Sequence, residues 1–211
     1  LQQLLAYLSA TERLPKEKIK IIQEKELSNI LQHHFTNTPH FFNRLKDQKL
    51  KVENINSLEL LKNLKPFKKK DIQLAGKNFY CKNIPKEQYP LTEAKTSGST
   101  GEPITTIKSR QNKLLWAAAA VRDHMWHNRD YTGRLMSIRN FSGAKLFSED
   151  WGIPMSMLYK TGAATGVDVT VDVREQLKQV NEFQPTILLT HSTIMNAFLD
   201  VWEKEGYNLS C

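Results

Sequence analysis

The sequence predicts an α/β protein, with a helical N-terminal lead-in followed by alternating β and α layers. Three observations carry this. From residue 16 to about Pro66 the apolar positions recur at helical spacing among Lys and Glu, and the pattern weakens from there to Pro90. Beyond residue 90, short β-branched runs alternate with helical stretches of about a dozen residues, the pattern of a layered fold with a largely parallel sheet. Between the two regimes, a run of small and hydroxyl residues from Thr96 to Pro103 leads directly into a β-branched run. The expected organisation is a basic helical lead-in over 1–90 and an α/β part over 91–211, with a loop at 96–103.

In chain order, residues 16 to 35 carry Ile19, Ile22, Ile30, Leu31 and Phe35 on a helical face. Thr38 is placed to cap a helix beginning at Pro39 and containing Phe41, Phe42 and Leu45, because proline suits the first helical position. Ser57 opens another helix, with Leu58, Leu61 and Leu64 on one side, which Pro66 ends. Gly76, Pro85 and Pro90 break up Phe67 to Pro90, leaving a short helix at about 69–75. Ile104 to Ile107 reads as a strand, Gln111 to His127 as an Ala-rich helix capped by Ser109, and Arg134 to Ile138 as a strand. Val167 to Val171 then reads as a strand, Val173 to Phe183 as a helix, Thr186 to Thr190 as a buried strand and Ser192 to Glu203 as a helix. The small-residue stretch Thr161 to Gly166 reads as a connection between strands, since it has no basic residue beyond Lys160. No internal repeat or low-complexity tract is evident.

With 40% hydrophobic and 25% charged residues over 211 positions, the composition is that of a folded globular chain rather than a disordered one. No run approaches the ~20 apolar residues of a membrane helix, and Leu1 to Leu8 lacks the flanks of a signal peptide. The expected location is cytoplasmic, with no membrane partner. Cys81 and Cys211 have neither metal-ligand spacing nor a paired framework, which fits a reducing compartment. The chain starts without Met and stops after Gly-Tyr-Asn-Leu-Ser, so it is expected to be a piece of a longer protein. The net charge of +8 lies wholly in residues 1–90, with 17 Lys and Arg against 9 Asp and Glu; the remainder holds 13 of each. The lysines are scattered and have few interleaved aromatics, which favours a solvated face over a nucleic-acid platform.

Thr96-Ser97-Gly98-Ser99-Thr100-Gly101-Glu102-Pro103 holds two glycines and four hydroxyl residues in eight positions. Glycines let main-chain N–H groups approach an anion, and Ser and Thr add donors without bulk. Taken alone the stretch resembles a flexible linker. The strand and capped helix that follow place it inside a folded unit, which favours a phosphate cradle. The common nucleotide-binding loop G-x-x-x-x-G-K-[ST] is absent, because Glu102 and Pro103 follow Gly101.

These residues resemble the phosphate loop T-S-G-[ST]-T-G-x-P of the adenylate-forming superfamily of acyl- and aryl-CoA ligases. The flanks resemble its phenylacetate-CoA ligase and capsule-biosynthesis branch: Thr38 to Leu45, then Leu58, Leu61, Leu64 and Lys65 to Ile72, and downstream Phe183-Gln184-Pro185-Thr186-Ile187-Leu188. The resemblance runs from about residue 33 to 209 and implies part of the N-terminal domain of such an enzyme. It implies that Ser97, Gly98, Ser99, Thr100 and Gly101 hold the β- and γ-phosphates of ATP, that Thr96 orients the loop, and that Thr100 contributes to the Mg2+ environment. The implied reaction joins a small-molecule carboxylic acid to AMP, releasing pyrophosphate, with a thiol such as coenzyme A as the next acceptor.

The sequence departs from that pattern in two ways. Glu102 sets a carboxylate beside the phosphate loop where relatives often have Lys. The superfamily's aromatic-Gly-x-Thr-Glu motif, ribose-binding Asp and C-terminal catalytic Lys have no counterpart in these 211 residues, so this chain alone is expected to be inactive.

Where relatives place a Gly- and aromatic-rich loop near the acyl pocket, this chain has Asn140 to Lys145. Phe141 and Gly143 are pocket candidates there, with a plain turn as the other reading. His191 either lines the substrate pocket or caps the following helix. His124 and His127 lie three apart but have no evident third ligand, and a surface or packing role is preferred to a metal. Trp116, Trp126, Trp151 and Trp202 read as packing residues. The rival reading from another class is a non-catalytic binding or scaffold protein that keeps the loop and docks an acidic partner or nucleic acid through its basic residues 1–90.

Overall fold

A computed structural model describes residues 1–55, 57–96, 103–141 and 146–206. The chain divides into two compact units, Leu1–Trp116 and Ala117–Cys211.

The first unit opens with α1 (Gln2–Thr11) and α2 (Lys16–Asn37), followed by α3 (Pro39–Asp47). Of the apolar face expected on α2, Leu31 is buried, with Leu27 and Phe35 packed beside it at successive four-residue steps. Ile30, assigned to that face from its spacing, is instead 55% exposed, because it lies one residue off the stripe. Thr38 does sit at the N-terminus of α3, where its carbonyl accepts the Phe42 N–H. Its hydroxyl makes no capping bond and lies 3.0 Å from Nδ1 of His34. Phe41 and Leu45 from α3 meet Leu31, Val52 and Ile55 to form the core of this unit. The short helices α4 (Leu58–Leu61) and α5 (Lys69–Ala75) follow, and the Asp71 carboxylate accepts the Lys68 N–H that opens α5, at 2.8 Å.

Strands β1 (Thr92–Lys95) and β2 (Thr105–Lys108) pair antiparallel, Thr92 opposite Lys108 and Lys95 opposite Thr105. β1 escaped the sequence reading, since Thr-Glu-Ala-Lys carries no apolar alternation and two-sided exposure leaves no pattern to read. Helix α6 (Arg110–Trp126) begins where Ser109 Oγ accepts the Asn112 N–H at 3.2 Å, the cap expected from sequence.

In the second unit, Ala117, Ala118 and Val121 of α6 are buried. The sheet comprises β3 (Leu135–Arg139), β4 (Leu146–Ser148), β5 (Ala164–Asp168) and β6 (Ile187–Leu189), in the order β4-β5-β3-β6. β3 is parallel to both β5 and β6, and β4 runs antiparallel along the outer edge of β5. Helices α7 (Val173–Phe183) and α8 (Ser192–Glu205) complete the layer. Met136 and Ile138 on one face of β3 join Val167, Leu177, Val180, Phe198 and Val201 in a continuous apolar core. This is the α/β layering predicted from sequence.

Two readings are corrected here. β5 runs over Ala164–Asp168, not Val167 to Val171, so the second half of the supposed Thr161 to Gly166 connection is strand. The strand ends at Asp168, whose Oδ1 accepts both the N–H and the hydroxyl of Thr170, at 2.9 and 2.6 Å, and turns the chain. Of the four tryptophans, only Trp151 is buried; Trp116, Trp126 and Trp202 are half or more exposed.

Candidate functional site

The candidate phosphate loop springs from the β1–β2 hairpin. Beyond the last strand pair, the Thr96 N–H donates to the Ile104 carbonyl and the Ile104 N–H donates to Thr96 Oγ1, both at 3.0 Å. Thr96 therefore closes the hairpin with its main chain and its side chain together. Behind the hairpin, Tyr80 donates its hydroxyl to the Thr105 carbonyl at 2.9 Å and ties β2 to the preceding segment. Thr96 and Pro103 are described. Ser97, Gly98, Ser99, Thr100, Gly101 and Glu102 lie outside the described residues, as does Gly143.

In the second unit, the carboxyl ends of the parallel strands share one edge of the sheet, the edge where ligands bind in folds of this class. Phe141 follows β3 there, and His191 follows β6, the strand beside β3. Phe141 is held at two points. Its N–H donates to Oδ2 of Asp168 at 2.7 Å, and its ring covers Gly166, where a Cβ would stand 2.9 Å from the nearest ring atom. Gly166 is thus small because an aromatic ring occupies the space above the strand. His191 occupies the N-cap position of α8 and makes no side-chain cap bond, leaving its imidazole exposed at the strand end.

Asp168 is the residue at this edge that sequence reasoning missed. It is 3% exposed, and its carboxylate joins the Phe141 main chain on one side to Thr170 on the other. The available signal was an Asp two residues before Thr, the spacing of a side chain that accepts from the backbone two positions on. Just beyond it, Asp172 accepts the Arg174 N–H to open α7, and buried Gln176 donates to the Val169 and Val171 carbonyls. The segment leaving β5 is therefore braced by three polar side chains.

At the opposite edge, backbones approach closely. Trp151 donates its indole N–H to the Gly133 carbonyl at 3.0 Å and its main-chain N–H to Thr161 Oγ1 at 2.8 Å. His124 packs its ring on Trp151 and lies 3.1 Å from Arg129, and burial first, then the Arg129 charge, push its imidazole below the ordinary range. His127 approaches Asp123 instead, so the two histidines are occupied separately. Among the described residues, no three His, Cys, Asp or Glu side chains gather as metal ligands, and no helix is long and apolar enough to cross a membrane.

No protein-family profile matches the chain. It is 24% identical over 209 residues to the phenylacetate-coenzyme A ligase of Thermus thermophilus, a match covering 96% of this chain and 44% of that protein. Its fold matches a structure of 2-hydroxyisobutyryl-CoA ligase in complex with 2-HIB-AMP and CoA in the thioesterification state. There the TM-score is 0.68 at 18% identity, over 92% of this chain and 42% of the ligase. An open conformation of that ligase with the same two ligands matches with a TM-score of 0.68 at 17% identity. The chain spans less than half the length of these proteins.

Proposed function

We propose, on the premise that this chain is a partial relative of the adenylate-forming CoA ligases, that it is the N-terminal portion of an ATP-dependent enzyme activating a carboxylic acid. The observation that carries the proposal is the hairpin whose described ends, Thr96 and Ile104, flank the segment Ser97 to Pro103 and are bonded to each other through the Thr96 main chain and side chain. A segment rich in Gly, Ser and Thr between two bonded strand ends has the residue types that binding a polyphosphate calls for, main-chain N–H groups and hydroxyls.

In this reading Ser97, Gly98, Ser99, Thr100 and Gly101 hold the β- and γ-phosphates, and Thr96 orients them. The donor set fits the group, since hydroxyls and main-chain N–H groups are neutral donors suited to a polyanion. The Thr100 hydroxyl fits Mg2+, a hard cation that takes oxygen ligands. The substrate carboxylate attacks the α-phosphorus, the bond to the bridging oxygen breaks, and pyrophosphate leaves. The loop's contribution is to hold that leaving group in line and to stabilise the charge it gains. Displacement of AMP by a thiol, coenzyme A in this proposal, then gives the thioester. Phe141, Gly143 and His191 are assigned to the acid pocket, and the Asp168 bond to Phe141 supports that assignment by fixing where the aromatic side chain begins. The division into a helical lead-in over 1–90 and an adenylation part from 91 belongs to the same proposal, as does a cytoplasmic location.

Equilibrium titration of the chain with ATP and Mg2+ tests the loop. Binding is expected, weakened about tenfold by Thr100→Ala and also by Thr96→Val, which removes the acceptor for the Ile104 N–H. Wild-type affinity in both variants overturns the assignment. ATP–pyrophosphate exchange with a panel of carboxylic acids is expected to be absent, because these 211 residues lack the AMP-gripping motif and the late catalytic Lys. Robust exchange by this chain overturns the half-site reading.

A further inference from the structure

In the first unit, an aromatic and cationic groove is built from residues other than those of the hairpin segment. His40 and Arg44 are one turn apart on α3 and so share a face, while Phe41 and Leu45 turn into the core. Phe67, following Pro66, and Phe79 come against that face. The His40 ring packs on both, each at 5.8 Å between centroids, and Phe67 and Phe79 meet edge-on at 5.7 Å. The Arg44 guanidinium lies 4.0 Å above the Phe67 ring, held by a π face that accepts no N–H bond in its plane.

Two nitrogens are left over. Nη2 of Arg44 and Nε2 of His40 are buried and have no hydrogen-bond partner among the described residues. Native structures rarely leave such groups unpaired, and where they do the site calls for an explanation. Both residues line an open groove of about 850 Å³, within the size range of small-molecule sites. Lys65 and Lys68 line it as well, so three cations face two carboxylates, and one of those, Asp71, is already bonded to the Lys68 N–H. Ala75 and Leu74, which is 76% exposed, add apolar lining.

We propose that this groove binds a phosphate-bearing small molecule. The phosphate sits against Arg44 and His40, the lysines balance its charge, and the apolar remainder lies on Leu74 and Ala75. A planar guanidinium fixed by stacking offers a fork of N–H donors that matches phosphate oxygens, and the phosphate supplies the acceptors that the protein withholds. The inference does not depend on the hairpin loop holding ATP.

Phenyl phosphate and inorganic phosphate are the probes, titrated into the whole chain by calorimetry and by NMR of the His and Arg side chains. Phenyl phosphate is expected to shift the His40 and Arg44 resonances, and to bind at least tenfold more weakly in Arg44→Gln and several-fold more weakly in Lys65→Gln/Lys68→Gln. The lysine pair is exposed and keeps the experiment decisive if Arg44→Gln fails to fold. Thr100→Ala is expected to leave this binding unchanged. Tighter binding of phenyl phosphate than of inorganic phosphate supports an organic phosphate as the ligand, and equal binding supports recognition of the phosphate alone. No shift at His40 and Arg44, parental affinity in the lysine variant, or binding lost in Thr100→Ala and kept in Arg44→Gln, overturns the proposal.

Discussion

Replacing Gly162 with Ala is expected to destabilise the second unit more than any glycine-to-alanine change made on conformational grounds alone. Gly162 has no left-handed backbone to preserve, so its need for glycine is steric. An added Cβ would stand 2.2 Å from the Gly133 carbonyl oxygen, 2.3 Å from that of Thr132 and 2.9 Å from the Gly133 carbonyl carbon. Ordinary contact begins at 3.4 Å, so the two chain segments must part by about 1 Å, and every obstructing atom is backbone. The segments are joined by Gly162 N–H to Tyr131 O at 2.9 Å and Leu135 N–H to Ala163 O at 3.0 Å, and the obstructing Gly133 carbonyl is also held from Trp151 Nε1 at 3.0 Å. Losing two of these at about 1 kcal/mol each, with the strain of overpacking, gives roughly 3 kcal/mol. Urea denaturation followed by far-UV circular dichroism and Trp fluorescence measures it, with Gly152→Ala as the control. Gly152 has φ +72° and open space around the missing Cβ, so its cost is conformational only, about 1–2 kcal/mol. A Gly162→Ala loss no larger than that of Gly152→Ala would refute the close-approach argument.

Two further outcomes follow from the same structure. Asp168→Asn keeps the shape of the side chain but turns one carboxylate oxygen into a donor facing an N–H, so a loss of about 2 kcal/mol is expected in urea unfolding, with faster hydrogen exchange at the Phe141 amide. Unchanged exchange there would show that the Asp168 bond does not hold Phe141. The imidazoles of His34 and His124 are held below the ordinary range, chiefly by burial and then by the charges of His33 and Arg129 respectively. The unfolded chain therefore takes up these protons more readily, and the stability linked to them is present above about pH 6.5 and falls as the pH is lowered through that value. Denaturation midpoints between pH 7.5 and 5.5 measure this, and His34→Gln/His124→Gln is expected to flatten the slope; an unchanged slope would assign the acid sensitivity elsewhere.

The elements legible in the sequence were those whose cause is local. Val173 to Phe183 is legible as a helix from its apolar stripe and the Pro185 that follows, and the structure adds an Asp172 cap and a left-handed Gln184 at its ends. The Ser109 cap and the start at Pro39 were likewise written in single residues next to the helix. The α/β class itself was set by the alternation of β-branched runs with helices, since each period commits a segment to one secondary structure before any partner is present. The eight residues from Thr96 to Pro103 were enough to suggest a polyphosphate, because the chemistry of the donors is in the residue types.

Only the tertiary structure decided which of several equivalent positions was used. Ile30 and Leu31 are equally apolar, and the rotation of α2 against α3 buried one and exposed the other. The true extent of β5 depended on Phe141, a residue 25 positions away, covering Gly166 and so letting a glycine serve in a buried strand. Asp168 became a bracing carboxylate, and nitrogens of Arg44 and His40 became buried without a partner among the described residues, through neighbours that no local window contains. Local spacing determines which face a side chain lies on, while burial and hydrogen bonding depend on what the rest of the fold brings against that face.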